Sequence, residues 1–580
     1  MNLTPFLELA PRESRRTFLP GTLQLSSWAD LEPYYLALRD RALPDLAALE
    51  AFIADRSELE AFVSEEMAWR YIRMTCDTAN EQASASYLAF LQDIKPQIDL
   101  ADDELNRKTA GHPAFGSLDS ARYLTYTRQL RRQLDLFREE NIPLETETQT
   151  LAQQYSALNG AMTITHNGET LTLQQAGRLL EEHDRSLRQQ VWEQVAARRL
   201  QDREAFESIF GQQVALRHQI ALNAGYSGYT RYKFDALGRF DYRPEDTAAF
   251  HDAVEQVVTP VYSRLMQERR ERLGLDRLRP WDMQVELFGQ GPLRPFRTAE
   301  ELLNGSVEIL AGLRPELGEM LRIMERMGNL DLGSRIGKAP GGYNYPLMET
   351  GVPFIFMNAA GTQNDVTTML HESGHAVHAF LTRDLALDVQ KNPPSEVAEL
   401  ASMSMELLTM EGCRIFYPDD QDLARAQKEQ LMRCITVFPS VATVDAFQQW
   451  AYDHPGHSPQ ERADAWTRLY RRFHGSEIDW SGYETAFESS WIRYLHIFEV
   501  PFYYIEYAIA QLGALAVWRN FRRQPAEALD AFLQALRLGY TRAIPEIYQA
   551  AGIEFNFSAE YMRECVEFCY EAYQAQQTGS

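Results

Sequence analysis

Apolar positions recur at helical spacing along most of this 580-residue chain, and strict apolar–polar alternation is rare. Residues from about 27 to 160 read as successive long helices with few prolines or glycines to interrupt them. Ser27 or Asp30 can open one helix, Asp55-Arg56-Ser57 is expected to separate two more, and the stretch 79–89 is helix-compatible. One segment breaks the pattern. Met162-Thr163-Ile164-Thr165 and Thr170-Leu171-Thr172-Leu173 alternate around Asn167-Gly168, which predicts a β-hairpin near 162–173. Helices resume to about 275. Their arginines (Arg185, Arg188, Arg198, Arg199, Arg203, Arg269, Arg270 and Arg272) are interleaved with acidic residues and read as solvated faces.

From Gly333 the pattern changes again. Gly333, Gly337, Pro340, Gly341, Gly342 and Pro346 crowd a short stretch that carries Tyr343 and Tyr345, the composition of a binding loop. The apolar run 352–358 (V-P-F-I-F-M-N) has strand character, and Pro353 makes it an edge strand or marks the first residue of a strand. An edge here is expected to pair with an extended peptide through main-chain hydrogen bonds. Next comes Thr362-x-x-Asp365, a capping-box start. Val366, Met369, Leu370, Val377, Phe380 and Leu381 follow at helical spacing as a buried stripe.

That helix carries His371-Glu372-Ser373-Gly374-His375, an H-E-x-x-H motif. Residues four apart share a helix face, so both imidazoles can bind one zinc ion, with Glu372 placed as general base. With 12 histidines in the chain, such a match arises by chance with a probability of about 0.02. A third ligand is needed, and a carboxylate from a nearby helix is the usual choice. The helix expected to start at Asn392-Pro393-Pro394-Ser395 offers Glu396 and Glu399, which spacing does not separate. Glu406, two turns beyond Glu399, can orient a zinc-ligating imidazole, and His378 either shares that role or packs the core. Further on, His496, Tyr503, Tyr504 and Tyr507 fall within twelve residues around Pro501, with a helix expected to start near that proline. They offer the hydroxyl and imidazole donors that an oxyanion requires.

A hydrophobic content of 45% allows a full core, and the net charge of −25 argues against nucleic acid or an anionic membrane as partner. Five scattered cysteines (Cys76, Cys413, Cys434, Cys565 and Cys569) fit free thiols in a reducing cytoplasm. The N-terminus lacks the pattern of a signal peptide, and no run of about 18 apolar residues predicts a membrane span.

The order Gly341-Gly342-Tyr343, then 353–361, His371 to His375, Glu399-Leu400-Ala401-Ser402 with Glu406, and His496 to Tyr507 resembles oligoendopeptidase F, in the thimet oligopeptidase group. The resemblance covers about residues 200 to 570. It implies Glu399 as the third ligand and Glu406 as the later glutamate, setting Glu396 aside. It implies catalytic roles for Glu372, His496, Tyr504 and Tyr507, and substrate contacts at Gly341, Gly342, Tyr343, Phe354, Phe356, Asn358 and Tyr503. The implied fold is mainly α, a two-lobed helical clam-shell with a deep central channel, zincin-type active-site helices and a small β-sheet. An N-terminal helical lobe would occupy 1–200 and the catalytic region 201–580, with the zinc helix at about 363–381 and the third-ligand helix at about 394–411. The implied activity is that of a cytoplasmic oligoendopeptidase with one Zn2+ per chain, acting on short peptides. The rival readings are a metallocarboxypeptidase on a related scaffold, a catalytically silent peptide-binding protein, and a helical structural protein with no ligand.

Overall fold

Helices carry most of the chain, as the spacing predicts. The computed structural model describes residues 1–287, 291–335, 337–339 and 341–576; Pro340 of the glycine- and proline-rich stretch lies outside them. Five short strands appear among the described residues: β1 (Thr163–His166), β2 (Glu169–Thr172), β3 (Leu330–Gly333), β4 (Tyr343–Tyr345) and β5 (Phe354–Ala359).

The chain divides into two compact units, neither continuous in sequence. The first comprises residues 1–135, 294–419 and 513–555; the second comprises 136–293, 420–512 and the residues from 556 onward. The expected boundary at 200/201 falls inside the second unit. A linear reading places a boundary where motifs begin, whereas compactness depends on contacts between distant segments.

In the first unit, Ser27 and Asp30 together cap the helix Trp28–Asp40 in a capping box. The helix Leu46–Cys76 runs unbroken through Asp55-Arg56-Ser57, against expectation. Those polar side chains are accommodated by one partner on the next turn and by others far away in sequence. Arg56 is buried and pairs with Glu60 at 2.8 Å and Asp102 at 3.4 Å, and Ser57 Oγ accepts from the Asp388 N–H. Around them Leu31, Tyr35, Leu49, Phe52, Leu59 and Phe62 form one apolar cluster.

The first unit also holds a three-stranded sheet of order β3-β5-β4, with β3 parallel and β4 antiparallel to β5. The run 352–358 is therefore the central strand and not an edge. Pro353 sits just before the first strand residue, where its missing N–H costs no ladder bond, and Asn329 Nδ2 donates to the Val352 and Pro353 carbonyls. The edges are β3 and β4, and β4 begins at Tyr343.

In the second unit the helix Asp420–Asp453 packs against Pro459–His474 and Ala559–Ala575. The hairpin forms as expected, with Thr163 opposite Thr172 and His166 opposite Glu169. Asn167 (φ 51°) and Gly168 (φ 84°) adopt the left-handed conformations that a two-residue turn of this hand requires. Of the arginines read as solvated, Arg188 and Arg269 are buried. Arg188 binds the Trp281 carbonyl and the Asp282 carboxylate, and Arg269 binds the carbonyls of Asp282 and Val285. All five cysteines are free, and Cys565 and Cys569 are buried packing residues. No helix among the described residues is long and apolar enough to cross a membrane.

Candidate metal centre and a histidine–tyrosine cluster

The helix Gln363–Thr382 starts where Thr362 accepts from the Asp365 N–H and Asp365 accepts from the Thr362 N–H, the two halves of the expected capping box. Gly361 precedes it at φ 89°. The whole apolar stripe from Val366 to Leu381 is buried. Opposite lies the helix Ser395–Leu408, and the two backbones touch at Gly374. A Cβ at this glycine would lie 2.6 Å from both the Ala401 carbonyl oxygen and the Ser402 Cα.

This close crossing brings the donors together. One ligand atom from each of His371, His375 and Glu399 lies within 4.8 Å of the other two. Glu399 Oε2 stands 3.4 Å from His371 Nε2 and 3.8 Å from His375 Nε2, and the two imidazoles meet edge-on at 4.9 Å between centroids. Glu406 Oε1 lies 2.7 Å from His371 Nδ1, which leaves Nε2 of that ring as the ligating atom. Ser402 Oγ donates to Glu399 Oε2 at 3.0 Å.

Electrostatics follow from this packing. Burial would lower the pKa of His371, but hydrogen bonds to Glu399 and Glu406 raise it well above the ordinary value. Burial holds His375 down to about 4, so its ring is neutral. Burial works to raise the Glu399 carboxyl, yet the hydrogen bond from His371 and the two imidazoles bring it down to about 2. Glu372 is pushed up to about 7 by burial, with the neighbouring Glu399 and Glu406 adding to the effect.

Two imidazoles and one carboxylate on a protein wall are the donor set of catalytic zinc. The residues fit such an ion, and a second observation agrees. Glu372 Oε2 is buried without a hydrogen-bond partner among the described residues, a state that a carboxylate keeps only at some cost unless a ligand meets it.

The structure sorts the remaining expected site residues. His378 is buried, its ring bonds to the Leu536 backbone, and its Nε2 has no partner among the described residues, which makes it a core histidine packed on the helix Pro525–Arg537. Phe354 and Phe356 are buried in the sheet's own core, Phe356 stacked on Tyr343 at 4.8 Å and Phe354 edge-on to Trp69, so they offer no face to a peptide. Asn358 Nδ2 instead donates to the Ala339 and Gly341 carbonyls and fixes the glycine loop. Gly342 runs close to the Phe356 carbonyl, and Gly341 takes φ 96°.

Three contributors escaped sequence reasoning. Asn344, in β4, donates its Nδ2 to the Glu372 carbonyl at 3.2 Å, and its backbone bonds to the Glu372 carboxyl. Ser402 and Gly374 are the others. A glycine inside a helix costs about 1 kcal/mol relative to alanine, and that was the available signal for Gly374. Ser402 lies one turn past Glu399, a spacing that could have suggested it.

In the second unit the other expected residues gather on one another. The His496 ring lies 4.8 Å from Tyr504, 5.8 Å from Tyr507 and 6.0 Å from Tyr503, centroid to centroid. The helix here starts at Ile505, later than expected, because Phe502 takes a left-handed conformation (φ 68°) that ends the chain's turn after Pro501. A buried phenylalanine in that conformation is strained, and its surroundings hold it. Its N–H donates to Gln448 Oε1, and its carbonyl accepts from Arg239, which is itself paired with Glu506 at 2.9 Å.

Comparison with known proteins gives three findings. The profile of Peptidase family M3 matches residues 178–567, and that of the Peptidase M3 N-terminal domain matches 22–137. Among curated proteins, "Oligoendopeptidase F, plasmid" of Lactococcus lactis subsp. cremoris is 24% identical over 60% of this chain and 57% of its own length. "Oligopeptidase PepF" of Bacillus subtilis (strain 168) is 24% identical over 53% and 46%. The chain thus spans about half the length of the curated relatives it matches. Among solved structures, "PZ peptidase A with inhibitor 2" superposes with a TM-score of 0.89 at 25% identity, over 96% of this chain and 99% of the other.

Proposed function

Because the chain belongs to peptidase family M3, as its motifs led us to expect, we propose that it is a zinc-dependent oligoendopeptidase that cleaves internal bonds of short, unstructured peptides. The observation that carries this reading is the convergence of His371, His375 and Glu399 beside the buried, unpartnered Glu372 Oε2. Zinc held by those three residues would supply the Lewis acidity that polarises a carbonyl and makes water a nucleophile near neutral pH.

The chain's own groups do the rest. Glu372 Oε2 takes the proton of the attacking water and delivers it to the leaving amine nitrogen, acting as base and then acid. Glu406 holds the His371 tautomer through Nδ1. An extended peptide adds to the outer edge of β4, where Gly341, Gly342 and Tyr343 lead into the strand and Asn344 holds Glu372. His496, Tyr504 and Tyr507 supply donors to the developing oxyanion, with Tyr503 on the substrate side. A cytoplasmic setting accords with five free cysteines.

Glu372→Gln tests the reading. It is expected to retain about one zinc per chain while turnover falls about 10²- to 10⁴-fold. Near-normal turnover in the metal-loaded variant would refute the assignment.

A further inference from the structure

The second unit contains a cavity of about 210 Å³ that the peptidase reading does not use. Its walls are apolar. Leu173 and Leu180 come from the segment after the hairpin, Trp192 and Val195 from the helix Arg185–Gln201, and Ile492 from beyond the helix Glu484–Glu488. Trp192 is braced edge-on by Trp480 and Tyr483, so this wall is rigid.

Two of the polar groups that line this cavity are buried and can donate to an acceptor. Ser489, 7% exposed, lines it with an Oγ that has no partner among the described residues. Trp480 lines it too, and its buried Nε1 likewise has no partner there. A buried, unmatched donor costs free energy, and two at one cavity point to an acceptor ligand.

The charges agree. Arg199 and Arg493 both line the cavity, and neither has a salt-bridge partner among the described residues. Arg493 donates to the Tyr494 hydroxyl at 2.8 Å, while Arg199 makes no hydrogen bond to any described residue. Burial, and then the charge of Arg493, depress the pKa of Arg199, so an anion beside Arg199 would offset its desolvation and the repulsion from Arg493, which is itself exposed. Sequence spacing had placed Arg199 on a solvated face.

We propose that this cavity binds an apolar monocarboxylate, its tail against Leu173, Leu180, Trp192 and Val195 and its carboxylate on Arg199, Arg493 and Ser489. Size limits the tail. A dry cavity of about 150 Å³ accepts benzene, so this one takes a single ring with a short side arm. A cation is repelled by the arginines, and a neutral apolar ligand leaves them and the Ser489 hydroxyl unmatched. Such a carboxylate has two sources: the free C-terminus of an aromatic amino acid or peptide, and a simple arylalkanoic acid.

The test is titration calorimetry of the full-length protein with 3-phenylpropionate, run with zinc present and again after chelation. The expected result is saturable 1:1 binding that chelation leaves unchanged, with 3-phenylpropionamide about tenfold weaker or more, because it lacks the charge-assisted hydrogen bonds. Arg199→Met is expected to weaken the acid to the level of the amide, and Ala196→Phe, which fills the cavity, to remove binding of both. Circular dichroism and thermal melts of each variant confirm the fold. Equal affinity for acid and amide would overturn the proposal, as would an acid affinity untouched by either substitution, absence of saturable binding at millimolar concentrations, or binding that disappears on chelation. Competition by N-acetylphenylalanine separates the sources: displacement of the probe assigns the cavity to amino-acid and peptide C-termini, and failure to displace it assigns it to simple arylalkanoates.

Discussion

Glu406 is not one of the three candidate ligands; it accepts from His371 Nδ1 and so would determine which nitrogen faces a bound metal. Glu406→Ala is expected to weaken zinc binding about 10- to 100-fold while leaving the fold intact. Competition with a chromophoric chelator measures this, and unchanged affinity would remove Glu406 from the centre. Tyr507→Phe belongs to the same scale. A hydroxyl that meets charge only in the transition state is expected to lower kcat more than it raises KM; a change confined to KM would make Tyr507 a substrate contact. At this scale the sequence was informative where chemistry is local. H-E-x-x-H names two donors and a base because four residues of helix fix their geometry. Helix spacing was silent between Glu396 and Glu399, since both lie on one side of their helix, and only the family resemblance chose Glu399. The deciding contact is the backbone crossing at Gly374, which spacing along a single helix does not encode.

Among elements, the crossing of Gln363–Thr382 on Ser395–Leu408 has the narrowest tolerance. Gly374→Ala gains about 1 kcal/mol of helix propensity. It also places a methyl group 2.6 Å from the backbone at Ala401 and Ser402, which no rotamer change relieves. Overpacking of this kind costs about 1–3 kcal/mol, and contact with backbone belongs at the upper end, so a net loss of about 1–2 kcal/mol is expected. A denaturant melt reads it directly; a midpoint at or above wild type would show that the helices part freely. The caps at Ser27 and Thr362 and the hairpin turn at Asn167-Gly168 were legible because each depends on residues within a few positions. The place of β5 in its sheet was not. Pro353 is as compatible with a strand's first residue as with an edge, and the choice was made by β3, a partner more than twenty residues upstream. Asp55-Arg56-Ser57 misled for the same reason, since Asp102 and Asp388 complete its environment.

At the scale of the molecule, helical content and family were readable, while the division into units was not. The chain passes between its two units five times; Gly289-Gln290-Gly291-Pro292 precedes the passage at 293/294, whereas the passage at 512/513 falls inside the helix Ile505–Arg523 and has no linker to mark it. The motif order that resembles oligoendopeptidase F is supported by the match to Peptidase family M3 over 178–567. The central claim is that this chain cuts internal peptide bonds with a metal held by His371, His375 and Glu399. Its most direct test is mass spectrometry of a mixture of short blocked peptides incubated with the protein as purified, after chelation, and after zinc is restored. The account predicts internal cleavage that disappears on chelation and returns with zinc. Cleavage that persists without metal, or no cleavage while zinc remains bound at one ion per chain, would contradict it.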